Sequence, residues 1–345
     1  MSRVSIKDIA SQAGVSYSTV SRALNDNPAI SQEVRFRIQE LARAMGYSPN
    51  ALAQGLISHR THSIGLVITT ISDPFFVDVV RGVEEVAQAS EYSTFLATSN
   101  NDPEREIKII ETFSRRRVDG VIVAASQISN QYTDRLEQVH IPVIMINNQA
   151  VGEYKNLYSV SIDDYTGGQL ATRHLLGLGH RRIGYIGATN RPNSNARRMG
   201  GYLAALHEAG IAPEKAWISN YDTSTQGDLE GDLNLWKSLA PRAIDCGVTA
   251  LFCYCDTVAV GAILALNRSG IPVPGQVSVI GFDDNDLCEI VCPPLTTIGQ
   301  PKRRMGQMAM RMLLDCLDGI PVDDQVVEPE VIVRSSTSAV PPDGG

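Results

Sequence analysis

The chain has 345 residues, of which 43% are apolar and 20% charged, which excludes a largely disordered protein and indicates two or three globular domains. It contains no apolar run of about 18 residues and no apolar N-terminal leader, so we expect no membrane span and a cytoplasmic location. The net charge of −8 is uneven, because residues 1–60 carry +3 and the remainder carries −11. A basic end on an acidic body is suited to contact phosphates with that end. Since +3 is a modest surplus, we expect nucleic-acid binding to need two copies of this segment.

The N-terminal segment predicts three short helices around a small core. Ser5 and Asp8 have the spacing of a capping box, so a helix is expected to begin near Ile6. Gly14 suits a tight turn, after which Ser16 is the expected cap of a second helix and Ser31 that of a third. This arrangement is a helix-turn-helix, which projects one polar helix face into the DNA major groove.

The second helix carries the residues expected to meet DNA. The N-terminal part of a recognition helix meets base edges, and arginine bonds guanine in bidentate fashion. Hydroxyl and amide side chains suit phosphates, which fix position without reading sequence. The alternative from spacing alone is a small helical interaction domain with a polar outer face. We predict base reading by Tyr17, Ser18 and Arg22, and backbone contacts by Ser16, Thr19, Ser21 and Asn25.

A fourth short helix is predicted in Y-S-P-N-A-L-A-Q-G-L, with Pro49 at its first turn. About seven residues do not hold a helix alone in water, so this segment needs a partner to fold. Gly55 weakens it by roughly 0.5–1 kcal/mol, which makes its folding more dependent on that partner. The alternative is an ordinary interdomain linker.

From residue 62 onward, short apolar runs alternate with amphipathic stretches. The runs include S-I-G-L-V-I, D-G-V-I-V-A, V-I-M-I, R-I-G-Y-I-G and V-S-V-I-G-F, and helices are expected at 79–89 and 104–115. Alternation of this kind predicts parallel sheets covered by helices on both faces. Its extent favours two Rossmann-like lobes rather than one.

Neither catalysis nor metal binding is indicated by the motifs present. The sequence lacks G-x-S-x-G, a Walker loop and zinc-ligand spacing, so we expect no enzyme. All six cysteines lie between Cys246 and Cys316 without CxxC pairs, and we interpret them as reduced, packed, small apolar residues. We therefore expect no cofactor, no metal and no structural disulfide.

The head motif V-S-Y-S-T-V-S-R-A-L-N resembles the DNA-binding head of the LacI/GalR family of bacterial transcription regulators. In that family the segment after the head is a hinge helix, which folds on operator DNA and pairs with its dimer mate in the minor groove. The resemblance places Leu56 at the position of the leucine wedged between central base pairs, with Asn50 and Ala53 on the same side. Such a wedge unstacks bases and bends DNA onto more protein surface.

The remaining body resembles the periplasmic sugar-binding-protein fold of the same family, over residues 62 to about 337. The landmarks occur in the family's order: S-D-P-F-F, H-I-P-V-I, D-D-Y-T-G-G, G-H-R-R-I-G, C-D-T-V-A-V-G-A and V-S-V-I-G-F-D-D. The implied fold is an all-α helix-turn-helix head plus an α/β effector domain of two Rossmann-like lobes. We expect the head at 1–47, the hinge at 48–61, one lobe at about 62–160 and 293–325, and the other at about 161–292 and 326–337.

Effector-binding residues are expected where strands end, because ligands of such folds sit at the carboxyl ends of strands in the cleft between lobes. Phe75 and Phe76 are candidates for stacking, although such a pair is equally suited to a core. Each carboxylate that follows a strand is equally suited to cap a helix. Those carboxylates are Asp73, Asp163, Asp256 and Asp283.

The family resemblance adds Arg197, Gln300 and Asn147 to the predicted effector-binding residues. Arg197, in N-A-R-R-M-G-G-Y, matches the family's ligand-contacting arginine, with a surface ion pair as the alternative role. Gln300, in the crossover between lobes, matches another contact. Asn147 and Asn148 stand where pentose-type relatives often hold Asp-Arg, and Cys255 stands where asparagine is usual. These departures leave the effector as a carbohydrate or related polar metabolite, with a purine or nucleoside as the alternative.

The leading hypothesis is therefore a regulator, most simply a repressor, that binds a palindromic operator as a homodimer and responds allosterically to a small molecule. No leucine heptads follow the last strand motif, V-I-V-R-S-S-T, so a coiled-coil tetramer is not expected. The alternative is a sugar-binding protein whose head does not read DNA. A third hypothesis is a regulator that depends on a phosphoprotein corepressor.

Overall fold

The structure is a computed structural model that describes residues 4–47, 60–126, 132, 135–136, 138–147, 156–189, 191–221 and 246–340. The chain divides into two compact units, Met1–Thr61 and His62–Gly345. Within the described residues, no helix is long and apolar enough to cross a membrane. The same residues contain no group of three or more His, Cys, Asp or Glu side chains arranged to hold a metal ion.

The first unit contains α1 (Ile6–Ala13), α2 (Tyr17–Leu24) and α3 (Gln32–Ala44). The predicted capping box is present, since the Ser5 side chain accepts the amide of Asp8 and the Asp8 carboxylate accepts that of Ser5. Gly14 ends α1 with φ of 67°, a left-handed conformation that glycine adopts without steric cost. Ile9, Val20 and Ile38, one from each helix, form the centre of the core.

Within its described residues, the second unit contains two sheets of six strands each. Lobe 1 is built on the sheet β11-β5-β4-β3-β1-β2, which is parallel throughout. Its strands are β1 (Ser63–Ile68), β2 (Ser93–Thr98), β3 (Gly120–Ala124), β4 (Val143–Ile146), β5 (Leu157–Ile162) and β11 (Gln325–Val327). Its helices are α4 (Phe75–Ala89), α5 (Pro103–Arg115) and α10 (Lys302–Leu317).

Lobe 2 is built on the sheet β12-β10-β9-β8-β6-β7, in which only β12 is antiparallel to its neighbour among the described strands. Its strands are β6 (Ile183–Ala188), β7 (Ile218–Tyr221), β8 (Ala250–Cys253), β9 (Ser278–Asp283), β10 (Thr296–Gly299) and β12 (Glu330–Ile332). Its helices are α6 (Asp164–Gly177), α7 (Pro192–Glu208), α8 (Asp256–Arg268) and α9 (Leu287–Ile290), with a 3₁₀ turn at Lys215–Trp217.

Each sheet is buried on both faces, as the apolar runs predict. In lobe 1, Ile122 packs on one face and Val121 on the other, and in lobe 2 Leu251 and Phe252 do the same. Alternate residues of a strand point to opposite faces, so a strand covered twice is apolar at every position. The strands whose runs were singled out above are all present.

The lobe boundaries differ from the expected ones. Residues 296–299 form β10, which pairs with β9 of lobe 2, so the expected start of the second lobe 1 segment at 293 is wrong. β5 extends lobe 1 to Ile162, and β11 extends it to Val327. The chain therefore crosses between lobes after β5, after β10 and after β11.

Candidate functional site

The predicted DNA-reading side chains lie on the outer face of α2. Tyr17 is 56% exposed, and Ser18 and Arg22 are also exposed. The Ser16 hydroxyl accepts the amide of Thr19 at 3.2 Å and caps α2, and it also shares a hydrogen bond with Ser18 at 2.8 Å. Ser16 therefore positions the helix that carries the other residues.

The remaining predicted DNA contacts lie either on α2 and its C-terminal end or in the hinge. Ser21 is half-buried, and Asn25 is exposed at the C-terminal end of α2. The hinge residues Asn50, Ala53 and Leu56 lie outside the described residues, as do Asn148 and the C-terminal P-P-D-G-G.

A cavity of about 690 Å³, measured out to its open mouth, lies between the lobes at the carboxyl ends of both sheets. Lobe 1 contributes residues that follow β1, β2, β3 and β4, and lobe 2 contributes residues near the ends of β6, β8, β9 and β10. Six of the predicted effector residues line it: Asp73, Phe75, Phe76, Asn147, Asp283 and Gln300.

A chain of hydrogen bonds crosses the cavity from lobe 1 to lobe 2. Asn147 accepts the amide of Ile162 at 3.1 Å and donates its side-chain amide to Gln300 Oε1 at 3.0 Å. Gln300 in turn donates Nε2 to Asp283 Oδ1 at 2.6 Å. Each amide thus uses one acceptor and one donor to fix its neighbour, which holds the polar wall in one arrangement.

Two carboxylates of the cavity wall are held in surroundings that disfavour their charge. Burial raises the pKa of Asp283, which Arg198 opposes, and the nearby Asp256 raises it further. Burial also raises the pKa of Asp73, against the amide of Phe75, which donates to its carboxylate at 2.9 Å. Both carboxyl groups therefore keep their protons to a higher pH than a carboxyl group in water does.

Arg198, rather than Arg197, presents its guanidinium at the cavity. Arg198 pairs with Asp164 at 2.7 Å, donates to the Tyr254 carbonyl at 2.6 Å and lies 3.6 Å from the ring centre of Phe282. Consecutive residues of a helix point about 100° apart, so the exposed Arg197 faces away. Arg197 therefore does not line this cavity, as its predicted effector contact would require, whereas Arg198 does.

Two predicted carboxylates have structural contacts instead. Asp163 caps α6, accepting the amides of Tyr165 and Thr166 at 3.1 Å each. Asp256 is fully buried and accepts the Asn285 amide at 2.8 Å and the Thr297 hydroxyl at 2.5 Å. Neither lines the cavity, which matches the helix-cap alternative for Asp163 and assigns Asp256 to tying β10 to the segment after β9.

Comparisons with known proteins agree with this geometry. Residues 5–50 match the profile of bacterial regulatory proteins of the lacI family, and residues 172–337 match that of the periplasmic binding protein-like domain. The HTH-type transcriptional repressor PurR of Actinobacillus pleuropneumoniae serotype 3 (strain JL03) is 33% identical over 335 residues, covering 96% of this chain and 97% of that protein. This chain belongs to the LacI family.

Other relatives support the same assignment. The HTH-type transcriptional regulator GalS of Salmonella typhimurium (strain LT2) is 36% identical over 312 residues, which cover 90% of this chain and 89% of that protein. The crystal structure of the lac repressor dimer bound to operator and the anti-inducer ONPF superposes with a TM-score of 0.83 at 25% identity, covering 98% of this chain and all of that chain.

As a LacI-family member the chain is a DNA-binding transcription regulator with an effector domain, and it is not an enzyme. The predicted family and fold class are confirmed, with the helical head joined to an α/β domain of two sheets. The family match explains why two units of opposite charge occur in one chain.

Sequence reasoning missed several residues of the cavity wall. They follow strands, as the predicted residues do, and this position was the signal available. Arg191 and Ser194 lie after β6, Tyr254 and Thr257 lie after β8, and Asn101 lies after β2. Their arginine, amide, phenol and hydroxyl side chains add no signal to that position.

Proposed function

We propose that this LacI-family regulator is a cytoplasmic, homodimeric repressor that binds a palindromic operator and is controlled by an uncharged carbohydrate in the interlobe cavity. The observation that carries the effector class is the charge of the cavity wall. Asp73 and Asp283 face Arg191 and Arg198, so acidic and basic groups are equal in number among the described lining residues.

The charge balance argues against an anionic effector. Asp164 pairs with Arg198 at 2.7 Å, so that cation has a carboxylate partner within the protein. Phosphate recognition in proteins relies on cations that remain free to form charge-assisted hydrogen bonds. A sugar phosphate or nucleotide would have to compete with Asp164 for Arg198 and with two backbone carbonyls for Arg191, whereas an uncharged ligand needs neither cation.

The remaining wall suits a polyhydroxylated ring. Carboxylate and amide oxygens of Asp73, Asp283 and Gln300 offer acceptors for hydroxyl groups, and Phe75 and Tyr254 offer flat apolar surfaces. Among solved relatives, a transcriptional regulator CelR–cellobiose complex superposes with a TM-score of 0.70 at 27% identity, over 97% of this chain and 100% of that chain. The relatives named PurR make an uncharged purine the second candidate.

For DNA binding we infer that Tyr17, Ser18 and Arg22 read bases while Thr19, Ser21 and Asn25 contact the backbone, with Ser16 holding the helix. Residues 48–61 serve as the hinge, in which Asn50, Ala53 and Leu56 enter the minor groove. These assignments rest on the exposed face of α2 and on family membership. Two heads on a palindrome double the modest positive charge of one.

An exposed edge strand of lobe 1 is suited to contact a second copy of the chain. β2 is the edge strand of its sheet, and Phe95 and Leu96 on it are 53% and 49% exposed. An edge strand with apolar residues on both sides favours association, because natural monomers protect such edges with charge or proline. We infer that this edge contributes to the homodimer.

The operator is tested by selection from a randomised duplex library at near-physiological salt, followed by sequencing. An enriched palindrome supports the dimeric operator-binding regulator. Absence of enrichment with and without pooled metabolites favours a sugar-binding protein with a non-reading head. Enrichment only after addition of a purified phosphoprotein supports the corepressor hypothesis.

The effector is tested by thermal unfolding of the full chain with separate panels of neutral sugars, sugar phosphates and purine bases. We expect stabilisation by a neutral sugar, because a ligand at 100 times its Kd adds about 2.7 kcal/mol to the free energy of unfolding. Stabilisation by a purine base alone would replace the carbohydrate proposal, and stabilisation by sugar phosphates alone would contradict the charge argument.

A further inference from the structure

Arg191 links the two lobes through backbone carbonyls. It lies in lobe 2 directly before α7 and donates Nη1 to the carbonyl of Ala125 at 2.8 Å and Nη2 to that of Asn147 at 2.7 Å, both in lobe 1. Ala125 and Asn147 directly follow β3 and β4, whose register pairs Ala124 with Ile146. Adjacent strands lie about 4.8 Å apart, a spacing that the diverging terminal nitrogens of one guanidinium can bridge.

The two acceptor residues have an uncommon backbone conformation. Ala125 has φ of 57° and Asn147 has φ of 52°, both in the left-handed region. Asparagine enters this region readily, but alanine does so rarely, and such a conformation persists where the surroundings determine it. The two strand ends therefore share a conformation and a single donor, Arg191.

A second cation also links the lobes, but its donor belongs to lobe 1 and its acceptors to lobe 2. Lys302 of lobe 1 donates Nζ to the carbonyls of Asp283 at 2.5 Å and Asp284 at 2.6 Å in lobe 2. Lys302 lies two residues after Gln300, so it belongs to one of the chain crossings that join the lobes. Rotation of the lobes about these crossings would move Lys302 little. Arg191 lies in no crossover, so opening of the cleft would separate its donor atoms from both carbonyls.

Arg191 is also attracted to lobe 1 by charge. Burial raises the pKa of Asp73, and the positive charge of Arg191 opposes that rise. Both residues line the cavity. The link between lobes therefore combines two charge-assisted hydrogen bonds with attraction to a carboxylate on the facing wall.

We propose that Arg191 is the clasp that holds the two lobes closed over the cavity. Closure by this clasp requires no ligand, and a bound effector is retained by the closed lobes as well as by its own contacts. The second statement rests on the proposed function, whereas the first depends on neither effector nor DNA. Loss of the clasp raises the fraction of molecules with an open cleft.

Cys255 provides a reporter of opening, because its half-buried side chain lines the cavity. Full-length protein, without effector or DNA, is exposed to N-ethylmaleimide for increasing times, and modification of each cysteine is followed by peptide mass spectrometry. Exposed Cys292 reports reagent activity, and buried Cys253 reports global unfolding.

In Arg191→Ala we expect Cys255 to react roughly ten-fold or more faster than in the parent, because two hydrogen bonds from a charged donor are lost. Cys292 is expected to react at the parent rate, and Cys253 to stay protected. The matched control is Arg197→Ala, which removes an exposed arginine of α7 and is expected to leave the Cys255 rate unchanged.

Equal Cys255 rates in the parent and Arg191→Ala, with Cys253 protected, overturn the clasp. If Cys253 also becomes reactive, Arg191→Lys decides, because lysine keeps the charge but lacks the planar fork. An intermediate Cys255 rate in Arg191→Lys supports the clasp, and a parental rate overturns it. Either result leaves the effector proposal to be judged by the separate thermal panel.

Discussion

Arg198 and Asp164 form an ion pair in which Nε and Oδ1 lie 2.7 Å apart and the side chains are 5% and 9% exposed. The same guanidinium lies 3.9 Å from Asp283, so one cation is shared by two buried carboxylates. Rings on either side, Tyr254 and Phe282, cover its faces. This arrangement makes Arg198 a structural support of the cavity as well as part of its wall.

Arg198→Ala is expected to destabilise the effector domain severely. Removing one partner of a buried pair leaves the other charge uncompensated, which costs about 3–5 kcal/mol. The measurement is urea unfolding followed by circular dichroism. Arg197→Ala, at the adjacent exposed position, should change the free energy of unfolding by less than about 0.5 kcal/mol. Equal effects of the two substitutions would refute the distinction drawn between these arginines.

Asp283→Asn is expected to flatten the pH dependence of stability. Because burial raises the pKa of Asp283 above 3.8, its neutral form is favoured by folding. The stabilisation of the folded parent by neutral Asp283 is therefore complete below pH 3.8. It is lost as the pH rises through the raised pKa. The variant cannot ionise there, so its advantage in free energy of unfolding should grow from pH 4 to pH 9.

Thermal unfolding across this pH range, on the parent and Asp283→Asn, checks the sign. Asp323→Asn is the control, since Asp323 is exposed on lobe 1. Parallel stability curves for the parent and Asp283→Asn would show that the Asp283 carboxyl is not held neutral by its surroundings.

Gly201→Ala is expected to destabilise lobe 2 by about 1–3 kcal/mol, the usual result of overpacking. A Cβ at Gly201 would meet the Tyr165 carbonyl across the α6–α7 contact, and backbone there has little freedom to move. At the adjacent Gly200 the nearest atoms are Tyr165 ring carbons at 3.5 Å, an ordinary contact. Gly200→Ala should be neutral or stabilising by up to about 1 kcal/mol, because alanine favours helix. Calorimetric melting of both variants decides.

Arg22→Ala is expected to lower the preference for the selected operator over a scrambled duplex by about 1–3 kcal/mol, the usual contribution of a bidentate base contact. Arg43→Ala removes the same charge from α3, where Arg43 pairs with Glu40 at 2.7 Å. It should weaken both duplexes equally. Titrations by fluorescence anisotropy at fixed salt give both ratios, and an unchanged ratio in Arg22→Ala would remove Arg22 from base reading.

Much of the fold follows from the local hydrophobic pattern of the sequence, but two short edge strands do not. β1 and β9 are apolar runs buried on both faces, and they were predicted without tertiary information. β7 reads I-S-N-Y and β11 reads Q-V-V, so neither has a periodicity that separates a strand from a loop. Their pairing depends on an edge position supplied by the rest of the sheet, as β11 beside β5 shows.

The sequence predicted the location of the candidate site better than the residues that line it. Strand ends led to Asp73 and Asp283, because parallel sheets direct their carboxyl ends to one cleft, and the family resemblance added Asn147. The choice between Arg197 and Arg198 depends on the rotation of α7 about its axis, which adjacent arginines do not reveal. Asp163 caps a helix, a use that its sequence context fits equally well.

The three crossings between lobes also set an order for biosynthesis. β11 completes the lobe 1 sheet and β12 the lobe 2 sheet, and both come from the last few dozen residues of the chain. A nascent chain leaving the ribosome holds both lobes unfinished until Ile332 has been added, whereas the head is a separate compact unit that is made first. A message truncated shortly after codon 300 would therefore yield a helix-turn-helix without a completed sensor, and regulation by any metabolite would be lost.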